Sequence, residues 1–156
     1  MLELARESDF EEVNRLARQV VAHHAQWNPN EQMVEYPYPM EFFLTCIQPE
    51  SIYENAIYVM RSGGAVVGYL RIYLWETNST TSVKQKILSI DDIGVDEYLR
   101  NQGVGTQMME QLANIAKKDW KCSSIRLYVD APNKSAQAYY KKCGFYVRNI
   151  GMTLDL

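Results

Sequence analysis

The chain has 156 residues, 47% of them hydrophobic, with 11 Tyr and 3 Trp; this supplies one core, excluding a disordered chain and a small disulfide-stapled scaffold, and is too short for two. A total of 16 Lys and Arg against 19 Asp and Glu leaves a net charge of −3. That sign is wrong for a nucleic-acid footprint and suits a neutral or cationic small partner.

Leu2 to Arg6 alternates apolar and polar residues and predicts a strand. Ser8-Asp9-Phe10-Glu11 reads as a capping box, because the Ser8 hydroxyl and the Glu11 carboxylate can satisfy each other's free backbone donors. Val13, Leu16, Ala17, Val20, Val21 and His24 then recur at helical spacing until the Asn28-Pro29-Asn30 breaker. Residues 28 to 55 hold Pro29, Pro37 and Pro39, several acids and clustered aromatics around one short helix, Met40 to Ile47, and read as a lid. Ala56 to Arg61 and Ala65 to Trp75 are β-rich runs separated by Ser62-Gly63-Gly64, an antiparallel hairpin. After a polar loop, Lys86 to Val95 resumes as a strand carrying Asp91 and Asp92 in its middle. Strict alternation puts these two acids on opposite sheet faces. Val104, Met108, Leu112, Ile115 and Ala116 mark a helix ending near Lys117-Lys118; Ile125, Leu127 and Val129 mark a strand. Asn133 starts a last helix, through Tyr139 and Tyr140 to Cys143, which Gly144 stops. Phe145 to Arg148 and Met152 to Leu156 read as two closing strands.

The segment between the Asp91 strand and its helix is Arg100-Asn101-Gln102-Gly103-Val104-Gly105-Thr106. Glycines here let the backbone approach an anion, and the helix N-terminus aims amides and dipole at it. The spacing fits a phosphate or pyrophosphate cradle or a tight strand-to-helix turn. It lacks the third glycine of the dinucleotide fingerprint and the Lys-Ser/Thr ending of a nucleotide triphosphate loop.

Two motifs resemble the GNAT superfamily of N-acetyltransferases. One is Arg100, Gly103 and Gly105, preceded by Ile90-Asp91-Asp92-Ile93-Gly94-Val95-Asp96-Glu97-Tyr98; the other is Asn133, Ala136, Tyr140, Gly144 and Phe145. The resemblance is specific over about residues 56 to 148 and topological over residues 1 to 55. It implies one mixed α/β (α+β) N-acetyltransferase domain, residues 1 to 156, with a central six- to seven-stranded mixed sheet flanked by helices. It also implies acetyl-CoA as co-substrate in a cleft where the parallel strands Leu88 to Val95 and Ile125 to Asp130 splay apart. The pantetheine arm would add along the freed strand edge, and Gly94 suits that approach or a simple bulge.

The family's positions carry over as follows. Ile93, Val95, Arg100, Asn101, Gln102, Gly103, Val104, Gly105 and Thr106 meet the co-substrate, Val95 offering a backbone amide to the oxyanion. Asn133 matches the residue that bonds the pantetheine arm, its alternative being an ordinary helix N-cap. Acetyl transfer needs a neutral amine, so a base must take a proton; Asp91 comes first and Asp92 second, directly or through water, either one being free to pair with a base such as Arg71 instead. Tyr140 holds the place of the general acid that protonates the leaving thiolate, with core packing as its alternative, while Tyr139 points about 100° away and reads as packing.

Other features are read without the family. Trp27, Glu31, Glu35, Tyr36, Tyr38, Glu41 and Phe42 suit a pocket for a cationic amine, Trp27 and Tyr36 leading, or a solvated lid. His23 and His24 have no spaced partner and complement a helix end; Lys141 and Lys142 sit near adenosine phosphates or in solvent. Cys46, Cys122 and Cys143 fit neither a paired framework nor zinc spacing, so no metal is expected and a reducing cytoplasm is. An acidic N-terminus and the absence of any run of about 18 apolar residues predict neither signal peptide nor membrane span. The expected reaction is acetyl transfer from acetyl-CoA to a primary amine of a small polyamine-like or amino-sugar-like molecule, or else to a peptide N-terminus or lysine. A non-catalytic acyl-CoA sensor is the reading from another class, and the family's habit of pairing makes a homodimer the oligomeric expectation.

Overall fold

A computed structural model describes residues 1–27, 33–48, 50–78, 80–81 and 83–154. Five strands form one sheet in the order β1-β2-β3-β4-β5: β1 (Leu2–Leu4), β2 (Ala56–Ser62), β3 (Ala65–Glu76), β4 (Lys86–Val95) and β5 (Ser124–Leu127). The first three pairings are antiparallel and β4 with β5 is parallel. Among the described residues four α-helices flank it: α1 (Phe10–His24), α2 (Met40–Cys46), α3 (Val104–Lys118) and α4 (Lys134–Lys142). The mixed α/β class is as expected. No helix among the described residues is long and apolar enough to cross a membrane.

Alternation along β2 and β3 sorts side chains to two cores. Leu70, Ile72, Leu74, Leu88 and Ile90 pack under Met108, Leu112 and Ala116 of α3. On the opposite face Ile57, Val59 and Tyr69 meet Phe10, Val13, Leu16 and Ala17 of α1 and Phe43 of α2. α1 is also tied to the end of β4, where Arg15 Nη2 pairs with Asp96 Oδ2 at 2.7 Å and Gln19 Oε1 accepts from the Glu97 N–H at 3.0 Å.

Several expectations change. The sheet has five strands among the described residues, not six or seven, because residues 145–148 and 152–154 have no strand partner; alternation makes a strand only where an edge receives it. The entry to α1 is capped one turn earlier than Ser8 and Glu11 suggest. The Arg6 N–H donates to Asp9 Oδ2 at 2.8 Å, ahead of a short 3-10 turn at Glu7–Asp9. Asp9 is held there by Arg61, at 2.6 Å, so a long-range ion pair selects the cap.

β4 carries a bulge. Arg71 faces Asp92 and Ile72 faces Ile90, which leaves Asp91 without a partner on β3. Two residues then oppose one, and the strict alternation of side chains breaks at this point.

Candidate active site

The β4–β5 ladder runs from Ile87↔Ser124 to Ile90↔Leu127 and stops there. From Asp91 to Val95, β4 keeps β3 on one side and has no strand on the other among the described residues, while residues 128–130 leave the sheet. The opening thus starts at the bulged residue, Asp91, between the two parallel strands expected to splay apart.

Below the opening lies the loop into α3. Asn101 has φ +60° and Gly103 has φ +85°, and Gly103 is the N-cap of α3 with no side-chain cap. A Cβ at 103 would meet nothing within 4 Å, so the glycine is set by its dihedral rather than by space. The first amides of α3 are left for an anion. Arg100 Nε donates to the Val95 carbonyl at 3.2 Å and Gln102 Nε2 to the Tyr98 carbonyl at 2.7 Å, which folds the loop back on the end of β4. Val104 and Gly105 are half-buried and Thr106 is exposed in the first turn. Ile93 faces Leu70 and packs on the α3 core.

α4 brings Tyr140 and Asn133. Asn133 is buried, and its Oδ1 caps α4 by accepting from the Ala136 N–H at 3.0 Å and the Ser135 hydroxyl at 3.1 Å. The N-cap reading therefore holds for its oxygen, and its amide nitrogen makes no hydrogen bond among the described residues. Tyr140 packs on Phe145 and Tyr139, with ring centroids at 5.7 and 5.1 Å. Burial, then the negative charge of Asp92, pushes its phenol well above 10. The charge of Asp92 therefore reaches Tyr140. Tyr139 lies under α3, where its hydroxyl is 3.0 Å from the place a Cβ on Gly105 would take.

Both acids lie on the α1–α2 side, against the expectation of opposite faces, because the bulge turns Asp91 back. Asp91 pairs with Arg71. Asp92 Oδ2 accepts from the hydroxyls of Tyr38 and Tyr69, and Oδ1 from the Ile93 N–H at 2.9 Å. Arg71 is further held by Asn55 Oδ1 at 3.0 Å and by the faces of Tyr38 and Phe42, at 5.7 and 6.0 Å. Gly94 stands opposite Tyr69, and a Cβ there would lie 2.5 Å from the Tyr69 ring and 3.0 Å from Val20. The absence of a side chain at 94 thus lets Tyr69 cross β4 to Asp92.

Trp27 and Tyr36 are not brought together. Trp27 packs on His23 just past the end of α1, at 4.7 Å, whereas Tyr36 stacks on Phe10, the first residue of α1, at 5.1 Å. His23 is held below the usual histidine range by burial and then by the charge of Arg100. Lys141 and Lys142 are exposed in the last turn of α4. Glu31 lies outside the described residues. Sequence reasoning missed Tyr69 and Asn14; alternation along β3, which puts Tyr69 on the face of Arg71, was the signal for the first. No group of three His, Cys, Asp or Glu suited to a metal occurs among the described residues.

Comparison with known proteins agrees with this geometry. The acetyltransferase (GNAT) family model matches residues 11–145. N-alpha-acetyltransferase 50 of Danio rerio is 38% identical over 66 residues, 42% of this chain and 39% of that protein. Thialysine N-epsilon-acetyltransferase of Bos taurus is 35% identical over 82 residues, 53% of this chain and 45% of that protein. The chain thus spans less than half the length of either relative. Among solved structures, a mutant of the BH1408 protein from Bacillus halodurans superimposes with a TM-score of 0.89 at 26% identity, over 100% of this chain and 99% of that one. The aminoglycoside N-acetyltransferase AAC(6')-Iy in complex with CoA has the same fold, with a TM-score of 0.69 at 12% identity over 100% of this chain and 98% of that one. With the family model covering most of its length, the chain belongs to the GNAT acetyltransferase family.

Proposed function

We propose that the chain is an N-acetyltransferase that moves acetyl from acetyl-CoA to a primary amine of a small polyamine-like or amino-sugar-like molecule, by direct attack and in the cytoplasm. The observation that carries this reading is the opening between β4 and β5, which begins where the ladder stops at Ile90 and holds Asp92 just beyond it, beside the uncapped end of α3. The residues present fit the co-substrate: the α3 amides and Gly103 for its pyrophosphate, the partnerless edge of β4 for its pantetheine arm, and the Asn133 amide nitrogen beside them. When bound, acetyl-CoA supplies a thioester carbonyl and a thiol leaving group. As the C–N bond forms and the C–S bond breaks, Asp92 takes the proton lost by the amine, directly or through water, and the Tyr140 hydroxyl gives one to sulfur. Asp91, tied to Arg71, shapes the entrance. The three free cysteines support a reducing compartment.

The name of the Danio rerio relative, an N-alpha-acetyltransferase, favours a second acceptor class, a peptide N-terminus or a lysine side chain, whereas that of the Bos taurus relative, a thialysine N-epsilon-acetyltransferase, favours a small amine. The test is CoA thiol release with polyamines, amino sugars, amino acids and short peptides, alongside acetyl-CoA binding in the same preparation. Release with polyamines or amino sugars is expected. Peptide-only release would replace the small amine with the second class, and binding without any release would leave a sensor.

The exposed apolar residues Tyr128, Tyr146, Val147, Ile150, Met152 and Leu154, together with the outer edge of β5, which pairs with no strand among the described residues, support a homodimer built on that edge. Light scattering at micromolar protein is expected to give twice the chain mass, and the mass of one chain would rule the dimer out.

A further inference from the structure

The reading above makes Asp92 the proton acceptor and leaves unexplained the two tyrosines that meet it. Tyr38 lies in the loop before α2 and is clamped by Asn14, a fully buried residue of α1. The Tyr38 N–H donates to Asn14 Oδ1 at 2.8 Å, and Asn14 Nδ2 donates to the Tyr38 carbonyl at 3.0 Å. With its main chain so held, Tyr38 delivers its hydroxyl to Asp92 Oδ2. Tyr69 reaches the same oxygen from β3, passing over Gly94, and the two rings meet edge-on at 5.9 Å.

Burial, then the charge of Asp92, holds both phenols far above 10, so both remain donors wherever the protein is assayed. A carboxylate offers about four acceptor positions. Two on Oδ2 are filled by the phenols and one on Oδ1 by the Ile93 N–H, which leaves one position on Oδ1.

We propose that Tyr38 and Tyr69 are positioning residues that fix the Asp92 carboxylate with the free side of Oδ1 presented to the acceptor amine. This rests on the N-acetyltransferase reading. It makes the loop before α2 a determinant of amine affinity, although that loop lies 54 residues from Asp92 in the chain.

The test is steady-state kinetics of Tyr38→Phe and Tyr69→Phe with the best amine of the panel above, with CoA binding by calorimetry and unfolding midpoints in parallel. Each variant is expected to raise the amine KM about tenfold or more, the effect of losing a hydrogen bond to a charged group, with a smaller change in kcat. CoA affinity should stay within about twofold, since neither phenol touches the α3 loop. In an Asp92→Asn background, Tyr38→Phe should add no further loss, because the two changes act on one contact. Should Tyr38→Phe fail to fold, Tyr69→Phe carries the same expectation. An unchanged amine KM in the folded variants, or a loss that adds in full to that of Asp92→Asn, overturns the positioning role while the acetyltransferase reading stands. A wild-type protein that binds acetyl-CoA and acetylates no amine overturns both.

Discussion

Tyr140→Phe is expected to lower kcat by about 10² to 10⁴-fold, the usual worth of a positioned general acid, with acetyl-CoA affinity little changed. The substitution removes one oxygen and keeps the ring that packs on Phe145 and Tyr139. In the proposed reaction the electrostatics give the proton transfer its timing. In the resting site burial, then the charge of Asp92, holds the Tyr140 proton tightly. When Asp92 takes the proton of the amine, the negative charge opposing ionisation of Tyr140 is removed, and the phenol becomes a stronger acid as sulfur gains charge. The pH dependence has a definite sign. A raised phenol pKa keeps the donor form past the ordinary value of about 10, so kcat should not fall between about pH 8 and 10 through loss of this proton. For stability, the folded state binds this proton more tightly than the unfolded chain. The contribution is whole below about pH 10, where the unfolded phenol is protonated, and is lost as pH rises from there through the higher folded value. Rapid-quench or thiol-release kinetics across this range check the first point, and unfolding midpoints of wild type and Tyr140→Phe check the second. A kcat of Tyr140→Phe within about threefold of wild type would remove Tyr140 from the chemistry.

The two ends of the site differ in how far the sequence reveals them. The loop from Arg100 to Thr106 is a local device: a positive φ at Gly103, two glycines and a following helix, all within a few residues, and its geometry follows from its spelling. The same holds for the hairpin turn at Gly63 and Gly64, for β4 with its bounds at Lys86 and Val95, and for α4 with its Asn133 cap. Asp92 is different. Its partners come from a proline-flanked loop and from β3, and no period of 2 or 3.6 encodes a contact between them. The bulge at Asp91 is equally silent, since a residue without a cross-strand partner is a property of register rather than composition. Trp27 and Tyr36 show the reverse error. They lie nine positions apart in the sequence but flank opposite ends of α1, which at about 1.5 Å per residue separates them by the length of the helix. The two closing strands expected at residues 145–148 and 152–156 need an edge to receive them, and residues 145–148 and 152–154 pair with none, while residues 155–156 lie outside the described residues.

Asp92→Asn is expected to lower kcat/KM by about 10² to 10⁴-fold, and Asp91→Asn by no more than about tenfold. The bulge makes the pair unequal. The Asp91 side chain is 41% exposed and spends its charge on Arg71, an ion pair near solvent whose loss a neutral amide and water largely replace. Asp92 is the partner of two buried phenols and the group whose charge reaches Tyr140. An asparagine there retains one acceptor oxygen, turns an amide toward donors, and can neither take a proton nor attract a cation. The effect should therefore divide between kcat, through the lost base, and amine KM, through the lost charge, with CoA binding retained. The measurement is kcat and KM for the amine in both variants under the same conditions. If Asp91→Asn is the variant that collapses, the proton leaves through Asp91, and the Tyr38–Tyr69–Asp92 cluster is a fixed charge beside the reaction rather than its base.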